Sequence, residues 1–197
     1  MSRSTLPKFV LGLAFLITTA TSSSAQVVCE PGVGGVIPCP CANNPSGLNR
    51  GCDNSLATGG AGMIGTGVAS LSADTLSITS AGIGSSGPSC SASVLNPLSV
   101  LYQGDTTIPA GVPFGDGVLC CGGNVLLLNA KPATVGTYRY PEFASDPSIS
   151  VVSAGLGDVL FAGATRCYFV AYRDACPTFC VPSLRNKTNS FLVTWVP

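Results

Sequence analysis

"RCYFVAYRD", Arg166 to Asp174, places Tyr168, Val170 and Tyr172 on one side and Cys167, Phe169 and Ala171 on the other. Alternation with a period of two is the signature of a β-strand, whose successive side chains point to opposite faces. The same period recurs along the chain. "DTLSITS" (74–80) sets Leu76 and Ile78 on one face, and "PLSVLYQ" (97–103) sets Leu98, Val100 and Tyr102. "SISVV" (148–152) alternates through Ile149 and Val151, and "SFLVTWVP" (190–197) through Phe191, Val193 and Trp195. "NVLLLNA" (124–130) is apolar on both faces and reads as a buried central strand. Turn signals separate these runs: "SAGIGSSGPS" (80–89), "FGDG" (114–117), "CGGN" (121–124) and "SDPS" (145–148).

Short strands with Gly-rich joints predict an all-β fold. The expected form is a single disulfide-stabilised β-sandwich, Greek-key or jelly-roll-like. No tandem repeat interrupts the pattern.

The chain starts with Arg3 and Lys8, an apolar run from Phe9 to Ile17, and "SSA" (23–25). That order predicts a secretory signal peptide over residues 1–25. The apolar run is shorter than the roughly 20 residues needed to span a bilayer, and no membrane span is expected after its removal. From Gln26 onward, seven Lys and Arg stand against nine Asp and Glu. A net charge near −2 without a basic stripe argues against nucleic acid as a partner. Residues 26–60, rich in Cys, Gly and Pro, form a lead-in to a domain spanning 61–197.

Ten cysteines follow the leader: Cys29, Cys39, Cys41, Cys52, Cys90, Cys120, Cys121, Cys167, Cys176 and Cys180. An even number in an exported chain predicts a disulfide framework. The alternative for "PCPCANNPSGLNRGC" (38–52) is a zinc knuckle. Structural zinc sites are built from paired Cys-x2-Cys ligands, often with His, and this chain has no His. A redox centre would need Cys-x-x-Cys opening a helix, and none is present. The stretch therefore reads as a staple. Cys39 and Cys41 must lead to different partners, because a bridge across one proline closes a strained ring, and Cys52 suits one of them. Cys120 and Cys121 are neighbours on a strand and should reach opposite faces. No metal and no cofactor are expected.

Lacking His, the chain cannot assemble Ser-His-Asp, Cys-His or His-zinc machinery. A Ser-Lys pair would have to use Lys131 or Lys187, and Lys187 in "RNKTN" reads as a solvated turn lysine. The carboxylates open to glycoside chemistry are Asp116, Glu142, Asp146, Asp158 and Asp174, and their spacing selects no two of them. Asp116 between two glycines reads as a turn residue bonding its own backbone. A calcium ligand is the sharper alternative. Asp174 reads as a strand-end partner of Arg173. "GMIGTG" (62–67) reads as a joint, outside any strand-loop-helix nucleotide motif. "NKT" (186–188) is a glycosylation sequon by rule.

Several segments together resemble a large group of exported bacterial proteins with a Cys-rich start and a β-rich body. They are "CPCANN" (39–44), "GCDNS" (51–55), "SADTLSIT" (72–79), "YQG" (102–104), "FGDGVLC" (114–120), "DPSISV" (146–151), "AYRD" (171–174), "FC" (179–180), "NKTNS" (186–190) and "VTW" (193–195). The group has no assigned activity, so the resemblance implies export and fold and carries no mechanism. It also sorts the cysteines. Cys29, Cys39, Cys41, Cys52, Cys120 and Cys180 fall where the group places them, and Cys90, Cys121, Cys167 and Cys176 are additions. Six and four suit three shared bridges and two extra ones.

The expected function is a non-catalytic structural, surface or binding module, secreted or held at the cell surface or in the periplasm. Its partner would be a cell-surface protein or a glycan. A carbohydrate-binding or His-independent glycoside-hydrolase domain is the alternative. Tyr138, Tyr140 and Phe143 in "TYRYPEF" (137–143), among Pro and charges, are the expected contact patch of a loop.

Overall fold

A computed structural model describes residues 25–143 and 145–197. The predicted signal peptide falls, except for Ala25, outside the described residues. The fold is all-β. Eleven strands and one helix are formed among the described residues. In chain order they are β1 (Ala25–Val27), β2 (Gly62–Thr66), β3 (Ser77–Ala81), β4 (Ser85–Ser86), β5 (Ser93–Val94), β6 (Leu98–Phe114), β7 (Gly117–Pro132) and β8 (Thr137–Tyr140). Helix α1 (Ile149–Gly155), β9 (Thr165–Arg173), β10 (Arg185–Lys187) and β11 (Phe191–Thr194) complete the chain.

The main sheet runs β1-β11-β9-β6-β7, with β10 added to β9. A second sheet runs β2-β3-β8, and β4 pairs with β5. All pairings between these strands are antiparallel. One continuous core draws on both larger sheets: Met63, Ile78, Tyr138 and Tyr140 from the smaller, and Leu101, Tyr168, Val170, Tyr172, Phe191 and Val193 from the main sheet. The opening stretch is the hub. β9 is buried from Arg166 to Tyr172, on both faces, because β6 and β11 flank it and different parts of the chain cover its two sides.

Burying both faces of β9 also places polar groups inside, and each needs a partner. Tyr168 donates its hydroxyl hydrogen to Gln103 Oε1 (2.9 Å) and accepts from Trp195 Nε1 (3.3 Å). Gln103 Nε2 donates to Ser153 Oγ and Asp158 Oδ2. Arg166 grips Asp158 with two bonds of 2.6 Å, and that guanidinium holds the Asp158 carboxyl below its usual range. This network ties α1 and the loop after it to the sheet.

All ten cysteines are paired. The bridges are Cys29–Cys120, Cys39–Cys52, Cys41–Cys180, Cys90–Cys176 and Cys121–Cys167. Cys39 and Cys41 go to different partners, as do Cys120 and Cys121. The six cysteines sorted by the resemblance pair only among themselves, and so do the four additions. Three bridges bind residues 29–52, where no named strand forms. Such bridges each remove unfolded-state entropy worth roughly 2–4 kcal/mol.

Several local expectations are corrected. "SISVV" is the start of α1, where Ile149 and Ser153, four apart on one helical face, are buried and Val151 is exposed. Along the first part of β6 the buried side chains are those of Ser99, Leu101 and Gln103, while Leu98, Val100 and Tyr102 face outward. The core accepts the polar pair because Gln103 is fully bonded. "NVLLLNA" lies on β7, an edge strand, and only Leu128 of it is buried. "CGGN" is a bulge within β7, where the register shifts between Gly104 and Thr106. Gly123 there has φ +72°, and any Cβ would collide with Asp105 Oδ1.

Candidate functional site

Four of the segments singled out in the sequence meet at one buried polar seam: "GCDNS", "FGDGVLC", "AYRD" and "NKTNS". β10 pairs Asn186 with Tyr172 and Lys187 with Ala171, which carries "NKTNS" inside, where Asn186 through Ser190 have no exposure. The lead-in closes over it so tightly that a Cβ on Gly51 would collide with the Lys187 carbonyl oxygen.

Lys187 is therefore not the solvated turn lysine the sequence suggested. Its Nζ donates to Val118 O (2.7 Å) and Ser190 Oγ (3.2 Å), lies 4.0 Å from Cys29 Sγ, and sits 5.4 Å from the Phe169 ring centre. Among the described residues no carboxylate forms an ion pair with it. Burial alone pushes its ammonium down to about 7. Asn186 is equally enclosed. Its Nδ2 donates to Cys52 O (3.3 Å) and Asp53 O (2.7 Å), so the sequon is sealed inside the fold.

Asp116 occupies the two-residue turn joining β6 and β7, with Phe114 paired to Gly117 and Gly115 at φ +63°. A glycine with positive φ in the first turn position is what this hairpin demands. The Asp116 side chain, expected to bond its own backbone, instead turns inward and is 1% exposed. It meets Asp174, 0% exposed, which accepts from Ser55 N (2.8 Å) and Ser55 Oγ. Asp174 is thus no partner of Arg173. The backbone N–H groups of the two residues bond consecutive carbonyls, Arg185 O (2.9 Å) and Leu184 O (3.0 Å), which sets the two residues side by side in the seam. Burial is the main cause that raises both carboxyls, Asp116 to about 7, and their mutual repulsion adds to the rise in Asp116.

These are the one pair of glycosidase candidates that the fold seals in its interior. Glu142 and Asp146 instead gather around Lys131 at the surface (2.7 and 3.9 Å), and Asp158 is committed to Arg166. A substrate sugar would have no path to a pair buried at 0–1% exposure.

The expected aromatic patch is corrected too. Tyr138 and Tyr140 lie on β8, paired with Ser80 and Ile78 of β3, and are 1% and 2% exposed. Their hydroxyls donate to Asn129 Oδ1 and Pro147 O. Alternation along "TYRY" sends both rings into the core and Arg139 outward; Phe143 alone of the three is exposed.

An open aromatic site does exist, on the outward face of β6. Leu98, Val100, Tyr102, Phe114, Leu184 and the two arginines Arg173 and Arg185 line a groove of about 180 Å³. Tyr102 stacks on Phe169 at 5.0 Å and Phe114 meets it edge-on at 6.1 Å. The Arg185 guanidinium lies 4.5 Å from the Phe114 ring centre. Arg173 and Arg185 stand directly opposite each other on β9 and β10. Among the described residues neither forms an ion pair with a carboxylate. Tyr102 was legible as a strand aromatic, but the alternation rule assigned its face to the core.

Comparison of the chain with protein-family models, curated proteins and solved structures finds no match in any of the three.

Proposed function

We propose that this chain is an exported, non-catalytic binding module, stapled for an oxidising compartment, that works through contact at its surface. The observation that carries this reading is the division of its chemistry. The carboxyl pair, Lys187 and the sequon are consumed by the interior, and all ten cysteines are in bridges. What faces outward is the groove, with aromatic rings and two guanidiniums. Five disulfides fit the secreted, surface or periplasmic location that the leader sequence implies, and membership of the exported bacterial group resembled by its segments belongs to the same proposal. A single sandwich of Greek-key or jelly-roll kind is the architecture we assign to it.

Carbohydrate binding is the second reading, and a specific observation favours it. Tyr102 and Phe114, half-buried on one sheet face beside paired arginines, form a platform of the kind on which a sugar ring stacks. A glycan array with protein spanning Gln26 to Pro197 tests both. Binding that falls at least tenfold in Tyr102→Ala supports the sugar reading. Binding unchanged by that substitution removes the groove from the account. Turnover in a broad hydrolase screen would overturn the non-catalytic proposal.

A further inference from the structure

We propose that Asp116 and Asp174 hold a divalent, oxygen-preferring cation, calcium by its chemistry, where the β6–β7 turn meets the end of β9 and the lead-in. Three observations carry the proposal. Both residues are buried, at 1% and 0% exposure, and their backbone N–H groups bond the consecutive carbonyls of Arg185 and Leu184, which sets them side by side. Asp116 Oδ1 has no hydrogen-bond partner at all. No Lys or Arg forms an ion pair with either carboxylate among the described residues. Two like charges cannot share so small a buried space uncompensated. A proton or a cation must lie between them, and the unsatisfied Asp116 Oδ1 leaves a buried oxygen free to take the cation.

The donor set selects its class. Besides the carboxylates, the hydroxyl of Ser55 donates to Asp174, that of Ser85 accepts from the N–H of Ala175 next to Asp174, and that of Ser183 lies against Gly115 next to Asp116. An all-oxygen set without sulfur or imidazole suits a hard ion. Calcium takes 6–8 oxygens in flexible geometry, whereas magnesium demands a strict octahedron and keeps its waters. A Cβ on Gly117 would come within 2.8 Å of Asn186 Oδ1, so the glycine after Asp116 lets the turn sink far enough to bring its carboxyl to Asp174. The site has no Asp-x-Asp-x-Asp loop, and its ligands come from five separated positions between Ser55 and Ser183, so the sequence alone hides it.

The test uses protein from Gln26 to Pro197, stripped with EDTA at neutral pH, and reads the thermal midpoint and bound metal. About 5 mM calcium should raise the midpoint by about 5 °C or more, as expected for a ligand well above its Kd. Magnesium at the same concentration should do much less. Equilibrium dialysis with elemental analysis should find one calcium per chain, lost when the carboxyls are protonated near pH 4. Asp116→Asn should remain folded and lose the shift; if it does not fold, Asp174→Asn and the dialysis of unaltered protein decide. The same midpoint in EDTA and calcium with no bound metal, a shift surviving in Asp116→Asn, or an equal magnesium effect would overturn the assignment.

Discussion

Replacing Lys187 by Met should stabilise the protein at acid pH and lose most or all of that gain at alkaline pH. The side chain is fully buried, so Met fills nearly the same space without the charge. Burial lowers the ammonium from 10.5 to about 7. In the unfolded chain the group binds its proton up to about 10.5. Between those values the unfolded state therefore binds more protons, and wild-type stability rises with pH. Below pH 7 both states are protonated and the penalty is fully present. At about 1.4 kcal/mol per pH unit that penalty is about 5 kcal/mol. At pH 9 it has shrunk to about 2 kcal/mol. Met also forfeits the bonds to Val118 O and Ser190 Oγ, at a cost of about 1–3 kcal/mol including the unsatisfied acceptors. The variant should thus be more stable than wild type by about 2–4 kcal/mol at about pH 6 and within about 1 kcal/mol of it at about pH 9. The difference between the two conditions should be about 3 kcal/mol, independent of the lost bonds. Urea unfolding at both pH values, with the disulfides intact, measures it. An effect of Lys187→Met that does not change with pH would refute the claim that Lys187 is held as a buried, unpaired ammonium.

In the presence of EDTA, the Asp116–Asp174 pair should impose the opposite slope on the acid side. Their folded values are raised, so their contribution is complete below about pH 4 and is lost as pH rises toward 7. The loss through Asp116 should reach at most about 4 kcal/mol, giving a stability minimum near neutrality, and Asp116→Asn should flatten the acid limb in urea titrations at stepped pH. Val135→Asn should stabilise the protein by about 1 kcal/mol, raising the thermal midpoint. Val135 is 73% exposed at φ +48° in the two-residue turn between Thr134 and Thr137, a conformation that Asn accepts and a β-branched residue resists.

Much of the fold was readable because its strands obey one rule. β3, β9 and β11 bury the residues that alternation assigned, and the "FGDG" turn joins β6 to β7. The cysteine logic held because the adjacent pairs Cys39/Cys41 and Cys120/Cys121 are constrained locally by ring size and strand pleat. What escaped depends on contacts distant in the chain. Which face of β6 turns inward is decided by Ser153 and Asp158, 50 and 55 residues away, which satisfy Gln103. Lys187 looks solvated among polar neighbours because its enclosure comes from Gly51 and Val118. Tyr138 and Tyr140 looked like a loop because the proline and charges after them mark the end of a strand that needs β3 beside it. The carboxyl pair escaped for the same reason. Fifty-eight residues separate Asp116 from Asp174 in the chain, and no local pattern links them.

The covalent frame that ties residues 29–52 over the seam keeps Lys187, the sequon and the carboxyl pair enclosed, and peptide mapping reads that frame bridge by bridge. Non-reducing proteolysis with mass spectrometry of protein spanning Gln26 to Pro197, alongside thiol and metal analysis, should yield linked peptides for Cys29–Cys120, Cys39–Cys52, Cys41–Cys180, Cys90–Cys176 and Cys121–Cys167 and no free thiol. Cys39 and Cys41 recovered as free thiols with bound zinc, or Cys29 linked elsewhere than to Cys120, would contradict it.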